Sequence, residues 1–168
     1  MSESASYSVA LGTQADFLDL AALDRAIWHS YPNGENIPDG EHTWGLWCRT
    51  ALSAIARNAQ GMCIGGAVAF PTLGALSGQQ RLVLHKVFVA DGERGRGVGT
   101  ALTEAICDQV DKLQAECFIT VNPENKRAVA CYTRMGFGSV GGGSTELVKG
   151  YYRETEDRLV LSRVPRAS

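Results

Sequence analysis

Three glycines at alternate positions, Gly95, Gly97 and Gly99, separate the apolar, β-favouring run Leu82–Val89 from residues that open a helical pattern, Thr100-Ala101-Leu102. A strand, a turn almost bare of side chains and a helix start follow one another directly. In such a turn successive N–H groups can converge on one anion, and the helix dipole adds partial positive charge at the same place. Arg94 and Arg96 bring two full charges. The chemistry this points to is phosphate binding.

Two common glycine motifs do not fit. A Walker-type loop needs a Lys followed by Ser or Thr, and no Lys follows these glycines. A dinucleotide fingerprint, Gly-x-Gly-x-x-Gly, would end on Thr100 if counted from Gly95 and on Leu102 if counted from Gly97. A turn without function would carry the backbone entropy of its glycines and two neighbouring like charges with nothing to offset them.

The elements that must position this turn can be read along the chain. Ser6–Leu11 reads as a strand ended by Gly12, and Thr13-Gln14-Ala15-Asp16 has the form of a capping box. Apolar residues at Phe17, Leu20, Ala21, Ile27 and Trp28 then give a helix with one buried face. A loop over 29–42 follows, and a second helix is expected from near Asp39, with Trp44, Trp47, Cys48 and Ala51 on one side. Leu52–Arg57 and Met62–Phe70 read as two strands around a turn at Asn58–Gly61. Pro71–Gln80 is a second loop, and Arg81–Val89 is the strand entering the glycine turn. Beyond it Val98, Ala101, Leu102, Ala105, Ile106, Val110 and Leu113 recur at helical spacing. Cys117–Val121 reads as a buried parallel strand. The last helix carries Ala128, Cys131, Tyr132 and Met135 and stops at Gly136. Phe137–Val140 and Asp157–Val164 read as two final strands joined by a long, mobile connection through the triple glycine Gly141–Gly143. The order is that of an α/β protein whose strand–helix–strand units need parallel pairing.

The 168 residues suffice for one well-buried domain and fall short of two ordinary ones, so a single domain over 1–168 is expected. A formal net charge of −2 offers no general attraction for nucleic acid or an anionic membrane, so neither is an expected partner. The polar start Met-Ser-Glu-Ser-Ala-Ser has no signal-peptide pattern. Five scattered cysteines without a Cys-x-x-Cys pair read as reduced, mostly core-filling thiols of a cytoplasmic protein, and no metal site is expected.

Arg94-x-x-Gly97-x-Gly99 resembles the acyl-CoA-binding signature Gln/Arg-x-x-Gly-x-Gly/Ala of the GNAT acetyltransferase superfamily. The strand Val87-Phe88-Val89 and the later Asn125-x-x-Ala128-x-x-x-Tyr132-x-x-x-Gly136-Phe137 stand where that family's strand and second signature stand. The resemblance implies a GNAT-like fold: a mixed, mostly antiparallel sheet of about seven strands with splayed parallel strands 4 and 5 at its centre and about four helices around it. The implied cosubstrate is acetyl-CoA, with its diphosphate on the amides of Arg94, Gly95, Arg96, Gly97, Val98, Gly99 and Thr100. Its pantetheine arm would run along Val87, Phe88 and Val89, whose amides would polarise the thioester, and Asn125 would lie beside that arm.

Acyl transfer from a thioester to an amine needs an unprotonated nucleophile, a donor for the developing oxyanion and a proton for the departing thiolate. By resemblance Tyr132 is the general acid. His85 stands where some members place a base, and an imidazole titrating near 6.5 suits that task. Glu35, Glu41 and His42, in or beside the early loop, are the alternatives. Segments 31–42, 73–80 and 144–157 would surround the acceptor. Tyr151-Tyr152 and the residues after it resemble the tail of ribosomal-protein N-terminal alanine acetyltransferases, where a tyrosine pair helps hold a peptide N-terminus. Glu35, Asp39 and Glu41 suit a small cationic amine equally well, so the acceptor is a small-molecule amine or a peptide N-terminus, and a homodimer is a compatible assembly. A non-catalytic acyl-CoA sensor is the alternative function; it would keep the turn but need neither Tyr132 nor His85.

Overall fold

The computed structural model describes residues 7–29, 38–72 and 80–166. Its elements run β1 (Tyr7–Leu11), α1 (Phe17–His29), α2 (Glu41–Thr50), β2 (Leu52–Asn58), β3 (Cys63–Thr72), β4 (Arg81–Val89), α3 (Val98–Lys112), β5 (Glu116–Val121), α4 (Lys126–Arg134), β6 (Thr145–Val148) and β7 (Arg158–Arg163). Seven strands form one mixed sheet in the order β1-β2-β3-β4-β5-β7-β6. β1/β2, β2/β3, β5/β7 and β6/β7 are antiparallel. β4 and β5 are parallel, in register from Arg81↔Glu116 to Leu84↔Ile119. The expected fold class is present, with seven strands and four α-helices among the described residues.

Contacts gather into two compact units, Met1–Ala69 with Lys86–Ile106, and Phe70–His85 with Cys107–Ser168. In the first, the Thr13 amide and hydroxyl both donate to the Asp16 carboxylate at 2.8 Å. The expected capping box therefore exists, closing a 3₁₀ turn at Gln14–Asp16 that leads into α1. Leu20, Trp44, Ile55, Val68, Phe88, Val98 and Leu102 fill the core. The glycine pair in β3 sets its layer spacing. A Cβ on Gly66 would stand 2.5 Å from Leu20 and 2.6 Å from Phe88, and one on Gly65 would stand 2.9 Å from Leu102. Periodicity does not distinguish either glycine, because nothing in β3 itself marks which helices approach it.

In the second unit Cys117, Ile119, Phe137 and Leu161 are buried. β5 alternates buried and half-buried residues instead of being buried throughout, and it pairs antiparallel with β7 as well as parallel with β4. The expectation of a strand at Phe137–Val140 is corrected. Gly138 and Gly142 have φ of +89° and +83°, Ser139–Gly141 forms a 3₁₀ turn, and the strand lies later, at Thr145–Val148. Left-handed residues at both ends of so short a run cannot carry a ladder. Nor is the triple glycine a loose tether. A Cβ on Gly141 would stand 2.1 Å from the Gly136 carbonyl oxygen and one on Gly143 2.0 Å from that of Ser162. Two smaller boundaries also move: β3 runs on through Pro71 and Thr72, and Leu113 lies just past α3, half exposed.

Candidate active site

The turn after β4 is built from local chemistry. The Ala90 amide donates to the Ile64 carbonyl at 2.9 Å, anchoring the end of β4 to the start of β3. Asp91–Glu93 makes a 3₁₀ turn, and Gly95 and Gly97 then adopt φ of +82° and +85°, values that exclude most side chains. At the start of α3 the Ala101 amide donates to the Gly97 carbonyl at 3.0 Å. The amides of Val98 and Gly99 precede it and have no i−4 partner inside the helix. Gly99 rests on Val89 Cγ2 at 3.6 Å and Val87 Cγ1 at 4.0 Å, measured from an ideal Cβ, so the helix start sits directly on the strand. The turn suits an anion: Gly95 and Gly97 put no Cβ at its two left-handed positions, and it lies at the positive end of a 15-residue helix.

The two arginines do not project as bare charges. Arg94 pairs with Asp91 at 2.9 Å and donates through Nε to the Val89 carbonyl at 3.2 Å, while Arg96 pairs with Glu93. All four residues lie within one turn, a pairing readable from the Asp91-Gly92-Glu93-Arg94-Gly95-Arg96 spacing.

β4 alternates cleanly. Leu82, Leu84 and Phe88 are buried, Val87 and Val89 are half-buried, and His85 is exposed, its ring 5.2 Å from that of Phe70. Lys86 shares the parity of the buried residues and is nearly covered. Its Nζ donates to both carboxylate oxygens of Asp24 at 3.1 and 2.9 Å and to Asp39, and lies 5.5 Å from the Trp28 ring centre. Asp24 is fully buried and also accepts from Trp44 Nε1 at 2.9 Å and the Asp39 amide at 3.1 Å. The alternation could have flagged Lys86; its partner 62 residues away could not be read from it.

The early-loop candidates divide. Glu35 lies outside the described residues, as does most of segments 31–42 and 73–80. Glu41 is ion-paired with Arg25, whose hydrogen bond holds its carboxyl below the usual range, a poor setting for a base. His42 is exposed on α2.

In the second unit Asn125 caps α4, its side-chain oxygen accepting from the Ala128 amide at 3.1 Å. Tyr132 packs edge-on against Phe137, ring centres 5.8 Å apart. Burial pushes its phenol up to about 12, with the neighbouring Cys131 and Cys107 thiols adding to the shift. Gly136, at φ +91°, ends the helix as expected. Burial likewise raises the Cys63 and Cys107 thiols to about 11 and that of Cys117 to about 12, which fits packing and not nucleophilic roles. Tyr151 and Tyr152 form an exposed T-shaped pair with centres 4.7 Å apart. The Tyr152 hydroxyl lies 3.5 Å from Thr120 Oγ1, and the Arg158 guanidinium sits 5.1 Å from its ring centre.

The model of the Acetyltransferase (GNAT) family matches residues 20–137, which take in most of α1, the glycine turn and the Asn125–Phe137 segment. The chain belongs to the GNAT acetyltransferase family. Over 71 residues it is 37% identical to an uncharacterized N-acetyltransferase of Methanocaldococcus jannaschii, a match covering 42% of this chain and 29% of that protein, so the chain spans under a third of that relative. Among solved structures it resembles Arabidopsis thaliana Naa50 in complex with a bisubstrate analogue (TM-score 0.71, 20% identity, 94% of this chain and 98% of that one). It also resembles the ribosomal-protein-S18-alanine N-acetyltransferase of Escherichia coli (TM-score 0.71, 17% identity, 96% of each chain). A third is Arabidopsis thaliana NAA60 in complex with acetyl-CoA (TM-score 0.73, 15% identity, 94% of this chain and 98% of that one). At these identities the likeness to the GNAT structures is one of fold.

Proposed function

We propose that this GNAT chain transfers an acetyl group from acetyl-CoA directly to a primary amine in a ternary complex. The observation that carries the reading is the β4–turn–α3 unit, in which left-handed Gly95 and Gly97 expose backbone amides at the start of a long helix. In this reading the amides of Arg94–Thr100 hold the diphosphate, and Arg94 and Arg96 supply charge once they exchange their carboxylate partners for phosphate oxygens. The backbone of Val87–Val89 aligns the pantetheine arm and donates to the developing oxyanion. Asn125 offers that arm the amide nitrogen left over from capping. Tyr132 gives its proton to the departing thiolate, and a phenol raised to about 12 keeps that proton at neutral pH until it is needed. His85, exposed on β4, takes the proton of the amine directly or through water.

The acceptor we favour is a peptide N-terminus. Two of the three acids that would greet a free polyamine, Asp39 and Glu41, are engaged by Lys86 and Arg25. The exposed tyrosine pair beside β5 offers an amphipathic wall of the kind a short peptide can lie against. The names of two structural neighbours, one a ribosomal-protein alanine N-acetyltransferase, point the same way. Free-thiol release from acetyl-CoA, measured against a panel of N-terminal peptides and polyamines, tests this. Release with peptides is expected. Release with polyamines alone overturns the acceptor, and CoA binding without release to any amine makes the chain an acyl-CoA sensor.

A further inference from the structure

We infer that Tyr7, outside both sequence signatures, is a diphosphate-binding residue that completes the glycine turn. The inference rests on the acetyl-CoA reading above. Tyr7 opens β1 and is paired with Asn58 at the end of β2, where the chain turns back into β3. The Ala90 amide meets Ile64 near the start of β3, so the first residue of β1, the β2–β3 turn and the exit of β4 share one end of their strands. From there the Tyr7 side chain reaches the turn, placing its hydroxyl 3.3 Å from where a Gly97 Cβ would stand. That is the residue whose left-handed φ of +85° leads the backbone into α3.

Among the described residues the Tyr7 hydroxyl makes no hydrogen bond. A phenol held against a bare glycine and left with an unspent O–H is placed to donate to whatever anion the amides hold. The turn has use for such a group. Arg94 and Arg96 are flexible and ion-paired with Asp91 and Glu93, whereas a ring on a strand has few rotamers to lose and brings a directional donor without charge. In the bound state the Tyr7 O–H donates to a non-bridging oxygen of the diphosphate beside Gly97.

The test is calorimetric titration of the full chain and of Tyr7→Phe with CoA and with dephospho-CoA, alongside steady-state KM values. Removal of one hydrogen bond to a charged group raises the Kd by about tenfold. The same factor is expected for both ligands, because both carry the diphosphate. KM for acetyl-CoA should rise in parallel while KM for the acceptor stays put, and unliganded circular dichroism and Tm should match wild type. Unchanged CoA affinity in Tyr7→Phe overturns the inference, as does a loss confined to CoA, which would assign the hydroxyl to the 3′-phosphate. An equal rise in both KM values also overturns it, since that marks a general disturbance. Failure of the wild-type chain to bind either ligand is a separate result, which removes the acetyl-CoA reading itself and this inference with it.

Discussion

Two glycine-rich stretches, Gly92–Gly99 and Gly136–Gly143, use the same residue to opposite ends. In the first, Gly95 and Gly97 turn left-handed and are exposed, with the Tyr7 hydroxyl the close approach at Gly97, and what glycine provides is open backbone. In the second, Gly141 and Gly143 press against the carbonyls of Gly136 and Ser162, and Ser144 and Ser162 join through hydroxyls 3.0 Å apart. There glycine provides closeness. Both stretches are dense in glycine, four of eight residues in one and five of eight in the other; only the neighbours tell the open turn from the packed one.

Substitutions should separate the two. Gly97→Val puts a β-branched side chain at φ +85° beside Tyr7 and among the amides, so affinity for acetyl-CoA should fall by about a hundredfold or more while circular dichroism stays unchanged. Calorimetry checks it, and normal affinity would sink the phosphate-turn assignment.

The packed stretch should respond in stability instead. Arg163 flanks it, nearly fully buried, donating to the Met135 carbonyl at 3.0 Å and forking onto Asp111 at 2.7 Å through both terminal nitrogens. Asp111→Asn strips the carboxylate from that guanidinium and should cost about 3 kcal/mol in denaturant unfolding, with CoA affinity of the folded protein intact. A pH signature goes with it. The Arg163 hydrogen bond holds the Asp111 carboxyl below its ordinary value. The pair's contribution is therefore fully present above the unfolded pKa of about 3.9 and is lost as pH falls through the lower folded value. Wild-type unfolding below about pH 4 should show an acid limb that Asp111→Asn flattens; equal acid slopes would contradict the assignment.

Gly143→Ala drives a Cβ toward the Ser162 carbonyl and should lower stability by about 2 kcal/mol, roughly 4–8 °C in Tm, again without affecting CoA binding. A loss of CoA affinity with unchanged Tm would dissolve the distinction between the stretches. The smallest effect is expected at the open turn. Glu93→Gln removes the carboxylate charge paired with Arg96 and should tighten CoA binding by about two- to threefold at low salt, an effect that fades as salt screens the phosphate. Weaker binding would show that Glu93 supports the turn instead of competing for it.

Most of the fold was legible because its signals are local. The capping box at Thr13–Asp16, the turn at Asn58–Gly61, the helical recurrence from Val98 and the glycine stop at Gly136 each involve residues a few positions apart. The strand misplaced at Phe137–Val140 failed for a related reason: apolar Phe137 and Val140 suggest a strand, whereas Phe137 is fully buried beside Tyr132 and Val140 is 90% exposed.

The sequence by itself determined the donor end of this protein. A left-handed glycine, a helix start and the β run before them are set by neighbours along the chain, and they carry the family signature in a few residues. Only the tertiary structure decided what surrounds that end. It brought Tyr7 to Gly97, buried Lys86 on Asp24, engaged Asp39 and Glu41 with internal cations, and closed the second glycine stretch against β7. The physical reason is separation along the chain: each of these contacts joins residues 16 or more positions apart, and each depends on which elements pack together, a choice that no local pattern encodes.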